Sequence, residues 1–207
     1  MKLLHHGFEG LIPYWKADKG YYICIFVAFF LGVILAGVSV VTMPEATSKE
    51  LLLYLNDFFQ NIRENGADST VLFKAGLMQN VRSFVFLFLS SVMVIGGPFI
   101  VAFAVLRGFM HGFTLIFMFR LYGIRTTLFF LLGMLPHELI LFPAYLFLCV
   151  LCLKFSLSLS RGKQHLKAGL AQIAGKFLGL FALTFMAALL QAYVEPMLIQ
   201  LIAGLYL

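Results

Sequence analysis

Two side chains that could take part in acid–base or metal chemistry, His137 and Glu138, lie together in the apolar stretch GMLPHELILFPAYL at 133–146. They could begin an HExxH zinc helix, in which two histidines four residues apart bind zinc from one face. Leu141 stands where the second histidine would be. One imidazole cannot hold a catalytic zinc, and the later apolar segments contain no other cluster of His, Asp or Glu. We therefore expect no metal, no cofactor and no catalytic residue.

A structural role is the interpretation we favour for this pair, and ligand binding or conduction and catalysis are the alternatives. Pro136 fits the first turn of a helix, where its missing N–H costs nothing. Glu138 would then lie near a helix N-terminus, where the helix dipole stabilises a carboxylate. Pro143, seven residues further on, predicts a second break.

Arg107, in VLRGFMHGF, is a second charged residue inside an apolar segment, and Glu138 is its expected ion-pair partner. Buried ionisable residues are costly in a membrane and raise the question of function. Two GxxxG patterns, Gly108–Gly112 and Gly175–Gly179, predict close contacts between helices. The candidate buried polar or structural residues are Arg107, His111, Pro136, His137, Glu138 and Pro143.

Composition places the chain among membrane proteins. Of its 207 residues 62% are hydrophobic and 12% charged, whereas soluble domains have about a quarter of their residues charged. The formal net charge is +6, but the basic residues fall between apolar runs and form no nucleic-acid patch. Cys24, Cys149 and Cys152 all lie in apolar runs and are interpreted as packing residues. We predict an all-α polytopic membrane protein that contacts lipid and binds no nucleic acid.

The apolar runs predict about five transmembrane helices in one membrane domain, two regions being broken by Gly or Pro. Gly96-Gly97-Pro98 divides the region 71–120, although a re-entrant hairpin over 83–119 is an alternative. Pro136 and Pro143 interrupt the fourth span. The last span ends at Glu195-Pro196, which leaves an apolar tail outside. The predicted spans are 21–43, 71–95, 98–120, 126–152 and 177–194.

The distribution of basic residues predicts the orientation of these helices. Lysines precede the first span, and the loop after the fourth span is basic without an acidic residue. The positive-inside rule places both in the cytoplasm and the segment 44–70 outside. Arg120 and Arg125, which then lie outside, are the exception. The basic residues used are Lys2, Lys16, Lys19, Lys154, Arg161, Lys163, Lys167 and Lys176.

The outer segment contains a predicted amphipathic helix over 48–64. Thr47-Ser48-Lys49-Glu50 fits a capping box at its start, and Asn65-Gly66 is a plausible stop. Such a helix lies on the membrane surface or across the ends of the spans. We expect Leu51, Leu55, Phe58 and Ile62 to pack inward. The candidate partner-binding face consists of Asn56, Asp57, Gln60, Asn61 and Glu64.

Four stretches resemble the bacterial stage II sporulation protein M family over nearly the whole chain. They are LLLYLNDFFQNI (51–62), VIGGPFIVAFAVLRGFMHGFTLIF (94–117), LPHELILFPAYL (135–146) and KFSLSLSR (154–161). The family often has Pro-His-Gly in the third stretch, with a Glu before Pro-Ala. Here Glu138 replaces the Gly and Leu141 the Glu, which argues against a fixed catalytic carboxylate.

The resemblance implies a non-enzymatic scaffold in the mother-cell membrane at the sporulation septum. Family members join an amidase/endopeptidase, sporulation protein P, and a lytic transglycosylase, sporulation protein D. The complex thins septal peptidoglycan and drives engulfment. The alternative function is a small-solute transporter or channel, because broken helices often frame substrate sites. A conduction path needs several polar residues that converge at mid-membrane, and the sequence offers only Arg107, His111, His137 and Glu138.

Overall fold

The computed structural model describes residues 18–66, 68–162 and 166–202, with the backbone alone over 166–172 and at 202. Over these ranges the fold is helical, with no strand. A 3₁₀ turn spans Gly123–Arg125, and π-helical segments span Phe130–Met134 and Leu190–Val194. The α-helices are α1 Lys19–Val41, α2 Glu45–Asn65, α3 Ser69–Val92, α4 Gly96–Tyr122, α5 Thr126–Phe129, α6 Leu135–Ser160, α7 Leu166–Leu189 and α8 Glu195–Ile202.

Four helical segments are long and apolar enough to cross a membrane: Lys19–Val41, Ser69–Val92, Gly96–Ser160 and Ile173–Leu201. The third has 65 residues and contains the 3₁₀ turn, so it comprises two long helices, α4 and α6. The all-α membrane fold is therefore confirmed. The first four predicted spans fall on α1, α3, α4 and α5–α6, and the fifth falls on α7 and the second π segment.

Glycines set the distance between α1 and α4. A Cβ added to Gly108 would lie 1.9 Å from the carbonyl oxygen of Phe29, and one added to Gly112 would lie 2.9 Å from the Cα of Val33. The two backbones therefore touch where these glycines lie, and the contact predicted from Gly108–Gly112 is confirmed. The prediction for Gly175–Gly179 is wrong, because an added Cβ at either residue would meet nothing within 4 Å.

The predicted break at Gly96-Gly97-Pro98 separates α3 from α4. α3 ends at Val92 and α4 begins at Gly96, where a Cβ would lie 1.6 Å from the carbonyl oxygen of Ser90. The helices have 24 and 27 residues. At 1.5 Å per residue each is about 36–40 Å long, which exceeds a hydrocarbon core of about 30 Å. These lengths fit two full crossings better than a re-entrant hairpin.

Polar contacts identify the two ends of the helix bundle. At the first end, called the Lys154 end, Lys154 pairs with Asp18 at 2.7 Å, and the Ser156 hydroxyl donates to the carbonyl of Met93 in the α3–α4 turn. At the other end, called the α2 end, Arg120 donates to the carbonyl of Val40 in the last turn of α1. This bond gives Arg120 a local partner, since the carbonyls of a final turn lack intrahelical donors. Lys2, Lys16 and Lys163 lie outside the described residues.

α2 begins earlier than the sequence predicts. It starts at Glu45, directly after Pro44, and no side chain caps it. The predicted capping box at 47–50 is therefore wrong, because those residues already lie inside the helix. Pro44 begins the turn instead, and Glu45 provides a negative charge at the helix N-terminus. The predicted stop is confirmed, since α2 ends at Asn65 and Gly66 has φ +69°.

The inward face of α2 differs from the predicted one by a single position. Phe59 and Ile62 are buried and form an apolar cluster with Met118 of α4 and Ile199 of α8. Phe58, predicted to pack inward, is exposed, because consecutive helical residues point about 100° apart and α2 is turned to bury its neighbour Phe59. Leu55 packs against the same cluster, as predicted.

Candidate functional site

A π-helical segment directly precedes the helix that contains His137. Pro136 cannot donate a backbone hydrogen bond, and its ring clashes with the carbonyl four residues earlier. The chain widens into the π segment Phe130–Met134, and α6 then begins at Leu135 with Pro136 in its first turn. The predicted helix start is thus confirmed. The break predicted at Pro143 is wrong, because α6 continues through it to Ser160.

The same arrangement occurs a second time near the end of the described chain. The π segment Leu190–Val194 precedes Glu195-Pro196, and the chain continues as α8. The sequence interpretation treated Glu195 as the exit from the membrane. In the structure the apolar helical segment continues to Leu201, and Glu195 is only 3% exposed and lies against the start of α6. π segments within α-helices are frequent at functional sites.

Four titratable side chains meet between these helices and α4. The Nδ1 of His137 lies 2.5 Å from the Oε1 of Glu195, which also accepts the backbone N–H of His137 at 3.0 Å. The Nε2 of His137 lies 3.4 Å from the Oε1 of Glu138. That oxygen also lies 2.6 Å from the Nε2 of His111. We call these four residues, His111, His137, Glu138 and Glu195, the His–Glu cluster.

Hydrogen bonds and close contacts link both imidazoles of the His–Glu cluster to its carboxylates. The Nδ1 of His111 lies 2.7 Å from the carbonyl oxygen of Arg107, which can only accept, so Nδ1 carries a proton. The other three imidazole nitrogens of the cluster face carboxylate oxygens. With both imidazoles protonated, their two positive charges would balance the two carboxylates.

Arg107 does not pair with Glu138, so the predicted ion pair is wrong. Its guanidinium carbon lies 4.0 Å from the centre of the Tyr145 ring, and its Nη2 donates to the Ser83 hydroxyl at 3.3 Å. Glu138 instead contacts His111, which lies one helical turn beyond Arg107 on α4. The sequence showed that Arg107 and Glu138 both lie in apolar segments and could therefore pair. It could not show that His111 lies nearer to Glu138.

A buried amide extends the polar region toward α7. Asn80 of α3 is 3% exposed, donates to the carbonyl of Thr184 at 3.2 Å and accepts the Tyr145 hydroxyl at 3.1 Å. The sequence analysis named none of these three residues. The available signal for these residues was weak, an asparagine in a largely apolar helix. For Glu195 the signal was a proline directly after an acidic residue, at 195–196.

These polar groups line a cavity of about 830 Å³ that begins beneath α2, which we call the α2 cavity. Exposed Asp57 and Asn61 of α2 lie at its rim, together with Asp68 at the start of α3. The residue of α4 that lies furthest from α2 along the cavity is Arg107. Arg107 precedes the end of α4 by 15 residues, which is about 22 Å of helix. The cavity thus extends about half-way along the bundle.

The candidate partner-binding residues of α2 divide into two groups. Asn56 is half-buried and accepts the Tyr122 hydroxyl at 3.1 Å, so it does not belong to the exposed face. Asp57 and Asn61 are exposed but belong to the rim of the α2 cavity. Gln60 and Glu64 are exposed and hydrogen bonded to each other at 3.0 Å.

Among the described residues, no three His, Cys, Asp or Glu side chains are arranged as a metal site. Cys149 and Cys152 are free and buried in α6. A family model described as Stage II sporulation protein M matches residues 25–196, which include all four members of the His–Glu cluster. No curated protein and no solved structure matches the chain.

Proposed function

Because the chain belongs to the stage II sporulation protein M family, we propose that it is a non-enzymatic membrane scaffold for the wall hydrolases of engulfment. It is a sporulation-related membrane protein, and the family match over residues 25–196 is the observation that carries the proposal. The partners we propose are sporulation proteins P and D. The scaffold would hold them on the mother-cell side of the septum, where septal peptidoglycan is thinned.

The exposed face of α2 supports the proposed recruitment. Peptidoglycan lies outside the membrane, so a scaffold reaches its partners through its spans or its external surface. On the predicted orientation α2 is external. It presents the hydrogen-bonded pair Gln60 and Glu64 next to Leu53 and Tyr54, which are 63% and 68% exposed. Tyrosine and neighbouring polar groups are typical of protein interfaces.

Reversing charge on α2 tests the recruitment. Asp57→Lys combined with Glu64→Lys is expected to lower recovery of the amidase-like partner about tenfold, equivalent to a loss of about 1.4 kcal/mol of binding. The measurement is quantitative co-purification from sporulating cells. The control is Glu50→Lys, which reverses a charge at an exposed residue of α2 outside the proposed face. If the double variant recovers the partner as well as the wild type and the control do, α2 is structural and the contact lies elsewhere.

The α2 cavity favours the second candidate function, transport of a small solute. It gathers more polar groups than the sequence offered, because Glu195 and Asn80 join those already named. Further toward the Lys154 end, however, Ile100, Leu148 and Cys152 are fully buried in the apolar core. A cavity that is closed at one end can bind a solute but provides no continuous path across the membrane. We therefore rank the scaffold function above transport.

A further inference from the structure

One positive charge at the closed end of the α2 cavity has no carboxylate partner in the described part of the chain. Glu138 and Glu195 are both engaged by the imidazoles of the His–Glu cluster. The Arg107 guanidinium donates a hydrogen bond to the hydroxyl of Ser83 at 3.3 Å. A charge in a membrane segment normally finds a counter-charge or water. Arg107 therefore places at the inner end of the cavity a guanidinium with which an anion could pair.

The guanidinium is also held in a fixed orientation. It stacks on the ring of Tyr145 at 4.0 Å, and Tyr145 is itself held by the buried amide of Asn80. A guanidinium has five N–H donors, of which the contact with Ser83 uses one. Stacking leaves the edge of the guanidinium free, and that edge is the part that binds carboxylate or phosphate in a bidentate manner.

The other residues that line the cavity are of the kinds found in small-molecule binding sites. Apolar side chains from several helices line it, among them Ile62, Met110, Leu141 and Ile199, and the amides of Asn61 and Gln191 stand between them. Its volume of about 830 Å³ lies within the range of about 300–1,000 Å³ found for small-molecule pockets. About half of the lining residues are polar, and these groups, set between the apolar ones, can fix the orientation of a ligand.

We propose that the α2 cavity binds a small organic oxyanion, with its carboxylate or phosphate group on Arg107 and its apolar part toward α2. The site goes beyond the scaffold function and does not depend on it. Entry is from the α2 end, where the rim is exposed. The shared chemistry of carboxylate and phosphate is a pair of oxygens that the guanidinium edge can bind.

The test uses the full chain in lipid nanodiscs with no partner protein, so its result is independent of partner recruitment. The probe is dansylglycine, whose carboxylate is free, and dansylamide is the uncharged control. We expect dansylglycine to bind saturably and Arg107→Gln to weaken its binding at least about tenfold. Arg107→Lys, which keeps the charge and loses the planar edge, is expected to have an intermediate effect. Acetate and inorganic phosphate are then compared as competitors of dansylglycine. The stronger competitor shows whether the site prefers a carboxylate or a phosphate group.

A second pair of variants keeps the proposal testable if Arg107→Gln fails to fold. Val71→Trp adds bulk at the cavity wall and is expected to lower dansylglycine binding, whereas Val27→Trp, on an exposed face of α1, is not. Equal binding of dansylglycine and dansylamide would overturn the proposal. So would binding that neither Arg107→Gln nor Val71→Trp changes, since the probe would then be reporting the lipid.

Discussion

At the scale of single residues, His137 joins two helices that are far apart in the sequence. Its backbone N–H and its Nδ1 both contact Glu195, 58 residues away. Its Nε2 faces Glu138, which also contacts His111 of α4. The imidazole therefore lies between two carboxylates. Its removal leaves buried Glu195 without its imidazole partner, whereas Glu138 keeps His111.

Replacement of His137 is expected to change stability. His137→Ala should lower the free energy of unfolding by about 3–5 kcal/mol, because breaking a buried ion pair leaves an uncompensated charge. Glu138→Gln, which keeps shape and hydrogen bonding, should cost less. Unfolding by SDS titration in mixed micelles measures both changes, and Glu50→Ala, at an exposed residue of α2, is the control with almost no effect.

The same preparations also test the expected absence of a metal. We expect elemental analysis to find no stoichiometric metal in the wild type. Zinc that co-purifies at one equivalent and is lost in His137→Ala would contradict the structural role, because it would make His137 a ligand.

At the scale of elements, two features organise the bundle: the glycine contact of α1 with α4 and the paired π segments. The glycines bring the backbones of α1 and α4 together, and Arg107 and His111 lie on α4 beside Gly108 and Gly112. The π segments place His137 and Glu195 near the starts of α6 and α8, facing each other. The cluster thus depends on two helices that are both irregular just before a proline.

The glycine contact between α1 and α4 gives a prediction with an internal control. Gly108→Ala is expected to destabilise the protein by about 1–3 kcal/mol, because its Cβ would overlap the carbonyl oxygen of Phe29 and push α1 away. Gly175→Ala, with no atom within 4 Å of the added Cβ, should be neutral or slightly stabilising, since alanine favours the helix. Apparent melting temperatures in detergent measure both, and equal loss in the two variants would refute the close contact.

At the scale of the whole molecule, the bundle has two chemically different ends. The Lys154 end has the exposed lysine of its Lys154–Asp18 pair, followed by Arg161, which is also exposed. The α2 end has the amphipathic helix and the rim of the α2 cavity. Positive-inside counting assigns the first end to the cytoplasm and the second to the outside. The proposed partner surface and the proposed ligand site then face the same compartment.

Cysteine labelling in cells tests this orientation. In a variant without the three native cysteines, Ser160→Cys should react only after the membrane is made permeable, and Asn65→Cys should react in intact cells. Both positions are exposed, at the last residue of α6 and the last of α2. The reverse pattern would place α2 in the cytoplasm and would remove the support for an external partner surface.

The sequence by itself determined the features that depend on composition and on neighbouring residues. The membrane class follows from the apolar content. The stop at Gly66 follows from the ability of glycine to adopt a positive φ, and the break at Gly96 follows from two glycines and Pro98. These three features need no knowledge of which helices are neighbours. The contact at Gly108 has a local signal, small residues four apart on one helix face, but the same signal at Gly175–Gly179 marks no contact, so the neighbouring helix decides it.

Only the tertiary structure decided the rotation of each helix and the partners of each charge. Burial of Phe59 instead of Phe58 depends on what lies beneath α2, and a change of one residue turns the face by about 100°. Glu138 contacts His111 and not Arg107 because α6 places Glu138 beside His111 and Tyr145 beside Arg107. Glu195, which the sequence placed at the membrane exit, is buried because the second π segment brings it against His137 at the start of α6. Such pairings depend on helix packing, which local periodicity does not specify.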